Sequence, residues 1–251
     1  MNLNIIVNSI RKKKKLRMNN FTLINCDTDS ISFCKEDMTL FPPEVRAKLI
    51  TELNSLYDGK VEFADDGYFE TMIIVAAKNY ILWDGKKLKI KGASLKASNK
   101  EFYLKDFIKG VIDILLDPNH TQDKIIQLYN TVAFECLNLH DMSAHSFKKT
   151  FTKAVQEGEG TMELKTRLAL KYESPQQGDK FRVFYLSNSN LCLEKNFSGD
   201  YCKKTLLKKL FATVKIFHNI LPTELFINYS LQTNYYPFIG EEKPKRTKKT
   251  T

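Results

Sequence analysis

Apolar and polar positions change period several times along the chain. From Phe21 to Phe33, β-branched and apolar residues flank a polar centre, Asn25-Cys-Asp-Thr-Asp-Ser30, which predicts a strand, a tight turn and a strand. Two carboxylates, Asp27 and Asp29, then sit at the tip of the hairpin. Phe41-Pro-Pro breaks the chain direction. Glu44 to Tyr57 follows with Val45, Leu49, Ile50, Leu53 and Leu56 at helical spacing, predicting a helix that covers the hairpin. Phe69 to Ala77 reads as a strand. Tyr80-Ile-Leu-Trp, joined by Asp84-Gly85 to Lys86–Lys91, reads as a second hairpin whose outer arm alternates cation and aliphatic. One of its faces is expected to be apolar and the other basic.

Past Gly92 the period becomes helical. Ser98-Asn-Lys-Glu101 has the form of a capping box, and Leu104, Phe107, Ile108, Val111, Ile114 and Leu115 follow until Asp117-Pro118 stops the helix. A second helix is predicted from Thr121 through Ile125, Leu128, Tyr129 and Val132, and a third, amphipathic one over Leu206 to Leu221. Between them, Gly178-Asp-Lys-Phe-Arg-Val-Phe-Tyr-Leu186 reads as a turn opening into a strand. The chain therefore divides near residue 95 into a mixed α/β part and a mostly helical part, an α+β class overall, without internal repeats.

With 251 residues, 43% of them hydrophobic, the chain can fill a real core. The net charge of +10 changes the picture more, because the excess is clustered in Arg11–Arg17 and in the Lys243–Lys249 tail. A polyanionic partner follows from counterion release, against the plainer reading of a solvated charge run that aids solubility. No apolar stretch approaches the ~20 residues of a membrane span, and no N-terminal signal pattern is visible, so a soluble, intracellular chain without membrane contact is expected. Five cysteines without Cys-x-x-Cys spacing argue against a disulfide framework or zinc site, and His140 and His145 lie off the spacing of helical ligand pairs.

The hairpin carboxylates carry the candidate chemistry. An Asp-x-Asp pair is commonly a solvated turn. Apolar arms on both sides, however, hold these like charges at the edge of a core, which is costly unless a cation occupies the site. Mg²⁺ accepts such an arrangement, taking one or two carboxylates plus substrate phosphates, with Mn²⁺ as an alternative ion. Nucleotidyl transferases with a two-metal site and metal-dependent nucleotide-sugar transferases both use it; the basic surface favours the first.

Several segments carry a resemblance. Asn25-Cys-Asp-Thr-Asp-Ser30 resembles the Asp-Thr-Asp-Ser motif of family B DNA polymerases, borne by a β-hairpin tip of their palm domain. Phe69-Glu-Thr-Met-Ile-Ile-Val-Ala-Ala-Lys-Asn-Tyr-Ile-Leu82 looks like that family's strand ending in Lys-Lys-x-Tyr, and Lys89-Ile-Lys-Gly-Ala-Ser94 like its Lys-Gly element. Leu170 to Tyr185, with Pro175-Gln-Gln-Gly-Asp179, and Asp200-Tyr-Cys-Lys-Lys-Thr-Leu-Leu-Lys-Lys-Leu210 are similar to its thumb segments. These ordered elements span roughly residues 20 to 220. The resemblance implies a partial palm over residues 1–95 and a thumb over 96–240; the basic tail over 241–251 is expected to be disordered from its terminal position and charge. It implies that Asp29 is a direct ligand of a catalytic Mg²⁺ pair, with Asp27 a weaker or outer partner, the ions activating the primer 3′-hydroxyl and stabilising the leaving pyrophosphate. Lys78 and Tyr80 match the Lys-x-Tyr that holds the primer end, while Lys91 would face the duplex and Gly92 would allow close backbone approach. The first Lys of the pattern is Ala77 here, which removes one phosphate contact.

Two segments of the family are missing: the Asp-x-x-Ser-Leu-Tyr-Pro-Ser segment with its further metal ligand, and the Lys-x-x-x-Asn-Ser-x-Tyr-Gly helix that binds incoming nucleotide. The proofreading Asp-x-Glu is absent as well. The expectation is a C-terminal palm and thumb portion of a family B DNA-directed DNA polymerase of phage or viral kind, nearly inactive alone. Its expected partners are primer-template DNA, dNTP and an upstream half that would also cover the apolar face of the palm hairpin. The location would be the host cytoplasm if it is phage-encoded. A non-catalytic DNA-binding remnant and a nucleotide-sugar transferase are the alternative expectations.

Overall fold

The computed structural model describes residues 3–5, 21–27, 30–39, 41–55, 62–96 and 100–232. The chain is α+β and separates into two units, Met1–Lys96 and Ala97–Thr251.

In the first unit, β1 (Leu3–Ile5), β2 (Phe21–Asp27) and β3 (Ser30–Lys35) form an antiparallel sheet in the order β1-β3-β2. The predicted strand-turn-strand is present, with Asp27 opposite Ser30 and a register shift between Leu23 and Asn25. Four consecutive residues of β3, Ile31 to Cys34, are buried, so this central strand is covered on both faces. Ile31 and Phe33 pack with Leu49 and Leu53 of helix α1 (Pro43–Asn54), joined by Phe41 and Phe63. Each such side chain contributes roughly 1.5–3 kcal/mol by leaving water. Within this chain β1 pairs with β3, and α1 covers Ile31 and Phe33.

Helix α1 is shorter than its periodicity predicted. It admits Pro43 in its first turn, where a missing N–H costs nothing, and closes at Asn54, whose side chain clamps the returning chain. The Asn54 amide donates to the Phe63 carbonyl (3.1 Å) and its oxygen accepts from the Phe63 N–H (2.6 Å). Val45, predicted on the apolar stripe, is exposed; Leu56 and Tyr57 lie outside the described residues.

A second sheet of this unit joins β4 (Thr71–Ala76), β5 (Asn79–Trp83) and β6 (Leu88–Lys91), in sequence order and antiparallel. The Asp84 carboxylate accepts from the Lys86 and Lys87 amides (2.8 and 2.6 Å) and shapes the β5–β6 turn. Those amides hold its carboxyl below the usual range. The two-face prediction for this hairpin needs correction. Tyr80, Ile81 and Leu82 are all buried, and the register sets Lys91 opposite Tyr80 and Lys89 opposite Leu82. The cations therefore share a face with buried apolar residues. Their long stems allow it: Lys89 lies over the Phe69 ring and reaches Asp66 at 3.1 Å. The short helix α2 (Ala93–Lys96) packs on β5 and β6 and buries Leu95.

The second unit is helical with one small sheet. Helices α3 (Phe102–Leu116) and α4 (Gln122–Leu137) pack on each other, and α7 (Lys203–Val214) packs on both. Their buried stripes include Leu104, Phe107, Ile108 and Val111 of α3, Ile125, Tyr129 and Val132 of α4, and Leu207 and Leu210 of α7. Tyr129 is central: its ring meets Phe107 and Phe226 edge-on and stacks on Tyr229, and its hydroxyl donates to the Ile227 carbonyl at 2.7 Å. The sheet orders β7 (Phe147–Thr150), β8 (Lys180–Tyr185) and β9 (Leu191–Leu193) antiparallel, with α5 (Lys153–Glu157) and α6 (Thr161–Ala169) beside it. Phe151, Val155, Leu170, Val183, Leu191 and Leu193 form its core. Only β8 of this sheet was predicted.

The start of α3 differs from the capping box predicted at Ser98. Ser98 lies outside the described residues, and Glu101 is the N-cap, yet its side chain makes no capping bond. It is buried and paired with Lys209 instead, whose ammonium also lies over the Phe147 ring at 4.5 Å. The ion pair outcompetes the helix for the carboxylate because a buried charge needs a full counter-charge.

Candidate functional site

The β2–β3 hairpin brings Asp27, the first residue of the Asp-x-Asp motif, to the end of its sheet. The last pairing sets Asp27 opposite Ser30, so Asp27 is the final residue of β2. Asp29 and the Asp27 side chain lie outside the described residues. Among the described residues, no group of three or more His, Cys, Asp or Glu could hold a metal. As donors, two carboxylates one residue apart in sequence suit a hard divalent cation that draws its other ligands from substrate phosphates and water.

The four residues of the predicted primer contact meet at one end of the second sheet. Lys78 stands in the tight Ala77-Lys78 connection between β4 and β5, exposed, with φ of 60°. Tyr80 follows on β5 with Lys91 directly across on β6. Gly92 continues β6 with φ of 103°, and a Cβ there would stand 2.3 Å from Asn79 Oδ1 and 2.6 Å from the Lys78 carbonyl. Only glycine lets the chain leave β6 this close to the turn that carries Lys78. Tyr80 is 6% exposed and packs with Phe69, Leu82 and Met72. Its ring is part of the core, whereas Lys78 is exposed and Lys91 half-buried.

A further constellation, unmarked in the sequence reading, lies in the second unit. The register places Lys148 opposite Arg182 and Thr150 opposite Lys180, so these side chains share the sheet face away from the α5–α6 core. Arg182 is held at 2.5 Å from Glu194, donates through Nε to Ser146 Oγ (2.8 Å) and through Nη2 to the Ser143 and Ser146 carbonyls. His145 is buried, stacks on Tyr103 with ring centroids 4.5 Å apart, and has no hydrogen-bond partner for either ring nitrogen among the described residues. Burial pulls its pKa down to about 4, opposed by the nearby carboxylates of Asp141 and Glu101.

This architecture has a counterpart among solved structures. The family B DNA polymerase from the hyperthermophilic archaeon Pyrobaculum calidifontis matches 84% of the chain with a TM-score of 0.63 at 15% identity. The chain shares its fold with part of that enzyme. It spans 28% of the polymerase's length. No family model matches the chain, and no curated protein does. The arginine and lysine runs at Arg11–Arg17 and Lys243–Lys249 lie outside the described residues, and among the described residues no helix is long and apolar enough to cross a membrane.

Proposed function

We propose that the chain is the palm and thumb portion of a family B DNA-directed DNA polymerase, the first unit contributing to the palm and the second forming the thumb. The observation that supports this reading best is the conjunction of the fold likeness to a family B DNA polymerase with an Asp-x-Asp motif whose first residue, Asp27, ends β2. In this reading residues 1–95 serve as palm, 96–240 as thumb and 241–251 as a basic tail. Asp29 and Asp27 hold Mg²⁺, which when bound supplies the electrostatic stabilisation of nucleotidyl transfer. Lys78 and Lys91 neutralise primer phosphates, and Gly92 keeps their two backbones close. The buried Tyr80 acts as the floor that positions Lys91 across the strand pair. Primer-template DNA and dNTP are the substrates. The remaining palm and nucleotide-binding segments come from an upstream half, because this chain lacks their signatures.

The test is primer extension with Mg²⁺ by the chain combined with the product of the reading frame upstream. The combination extends primer, and Asp29→Asn abolishes extension while leaving primer-template binding within about twofold, since a Mg²⁺ ligand contributes little to phosphate contacts. Incorporation retained by Asp29→Asn would falsify the assignment. A second reading, a DNA-binding module without chemistry, draws on the cations of the second unit, which need no metal. It predicts salt-dependent DNA binding and no extension in any combination.

A further inference from the structure

Phe102, the first residue of α3, is 45% exposed, and two cations are held against its ring: Arg182 at 4.7 Å and Lys105 at 5.2 Å from the centroid. They border a depression of about 90 Å³ whose wall also includes Lys100, Ser146 and Lys148. Four cations thus converge on a small volume. Of the carboxylates beside them, Glu194 is engaged by Arg182 and Glu101 is buried against Lys209. Like charges gathered this closely repel, which costs stability unless an anion joins them.

The site is built rather than casual. Arg182 is fixed by bonds from Nε and Nη2 to Ser146, Ser143 and Glu194, and none of these uses Nη1. Lys148 stands across the strand pair from Arg182, and Lys105 lies one helical turn after Phe102. A guanidinium fixed in this way loses little rotamer freedom on binding an oxyanion.

Size and charge narrow the ligand. A volume of about 90 Å³ admits one tetrahedral anionic group rather than a run of backbone. A lining of four cations, one of them paired with Glu194, suits a doubly charged group. A phosphodiester carries one negative charge, whereas a phosphate monoester carries roughly −1.5 to −2 at neutral pH and offers three acceptor oxygens. The exposed Phe102 ring at the rim gives an attached sugar or base an apolar surface.

We propose that this depression binds the phosphate monoester of a nucleotide, either the 5′-phosphorylated end of a nucleic-acid strand or a free mononucleotide. The site lies wholly within the second unit and does not rest on the polymerase reading or on Asp27 and Asp29. The test measures binding of the full chain to two fluorescent single strands of one sequence, 5′-phosphorylated and 5′-hydroxyl, by anisotropy, with thymidine 5′-monophosphate and thymidine as competitors. The phosphorylated strand binds roughly tenfold tighter, the effect of the added charge among fixed cations. The double variant Lys105→Gln, Lys148→Gln loses that preference, whereas Lys153→Gln, an exposed lysine on α5, keeps it. A urea midpoint equal to that of the parent verifies that the double variant is folded. Displacement by the monophosphate but not by thymidine assigns the site to free nucleotides; displacement by neither, with the preference intact, assigns it to strand ends. Equal affinity for the two strands overturns the proposal, as does a preference that survives in the folded double variant. Neither outcome bears on primer extension, so this site and the proposed polymerase activity stand or fall separately.

Discussion

His145 and Gly92 show what single residues decide. His145 titrates near pH 4 in the folded chain against an ordinary value of 6.5, because burial disfavours the imidazolium. The unfolded chain therefore binds more protons between those values, and stability falls as pH drops from about 6.5 to about 4. The loss contributed by this one group is on the order of 3 kcal/mol at its limit. His145→Phe keeps the stack on Tyr103 and removes the titration, so urea midpoints measured at about pH 7 and about pH 4.5 differ less for the variant than for the parent. An equal drop in both proteins would refute the role of this histidine. Gly92→Ala places a Cβ against the Asn79 side chain and the Lys78 carbonyl in a backbone region that alanine resists. A loss of roughly 2 kcal/mol or more in denaturant unfolding is expected. Both residues were visible in the sequence, Gly92 as a member of the Lys-Gly element and His145 only as an unremarkable histidine. Burial of His145 depends on α3 supplying Tyr103, a neighbour 42 positions away in sequence that no local pattern announces.

At the scale of elements, periodicity predicted α3, α4 and α7 and the strand-turn-strand of β2 and β3. Failures occurred where a tertiary partner competed with a local rule. The capping box gave way because Glu101 meets Lys209 across 108 positions of sequence. Lys209→Met leaves that carboxylate buried without a counter-charge, and a loss of about 3–5 kcal/mol in urea unfolding is expected, with a smaller loss when Glu101→Gln accompanies it. A double variant as unstable as the sum of the two singles would show that the pair is not coupled. In the second sheet, the alternation of Lys89, Ile90 and Lys91 suggested a basic face, but lysine stems lie along buried apolar residues and β5 is covered on both sides. Strands β7 and β9 are only four and three residues long, too short to show a period of two.

For the whole molecule, the net charge of +10 sets the expected response to salt. With at least four lysine or arginine contacts to phosphate, affinity for nucleic acid falls roughly a hundredfold or more between about 50 and about 200 mM monovalent salt. A flat salt dependence in an electrophoretic or anisotropy assay would contradict the nucleic-acid reading at once, whatever the chemistry. The fold likeness covers 84% of this chain but 28% of the archaeal polymerase, so the likeness supports an architecture, and activity rests on the experiments above.

The sequence by itself determined the α+β composition, the order of the principal elements, the Asp-x-Asp motif and the basic charge, because these depend on local periodicity, turn chemistry and residue counts. Tertiary structure decided how side chains distant in sequence are brought together. Lys78, Lys91 and Gly92 gather because β4, β5 and β6 pair in one register, and Lys105, Lys148 and Arg182 gather because the start of α3 lies beside β7 and β8. Long-range pairing fixes such neighbours, since a one-residue slip of a strand would turn every side chain to the opposite face.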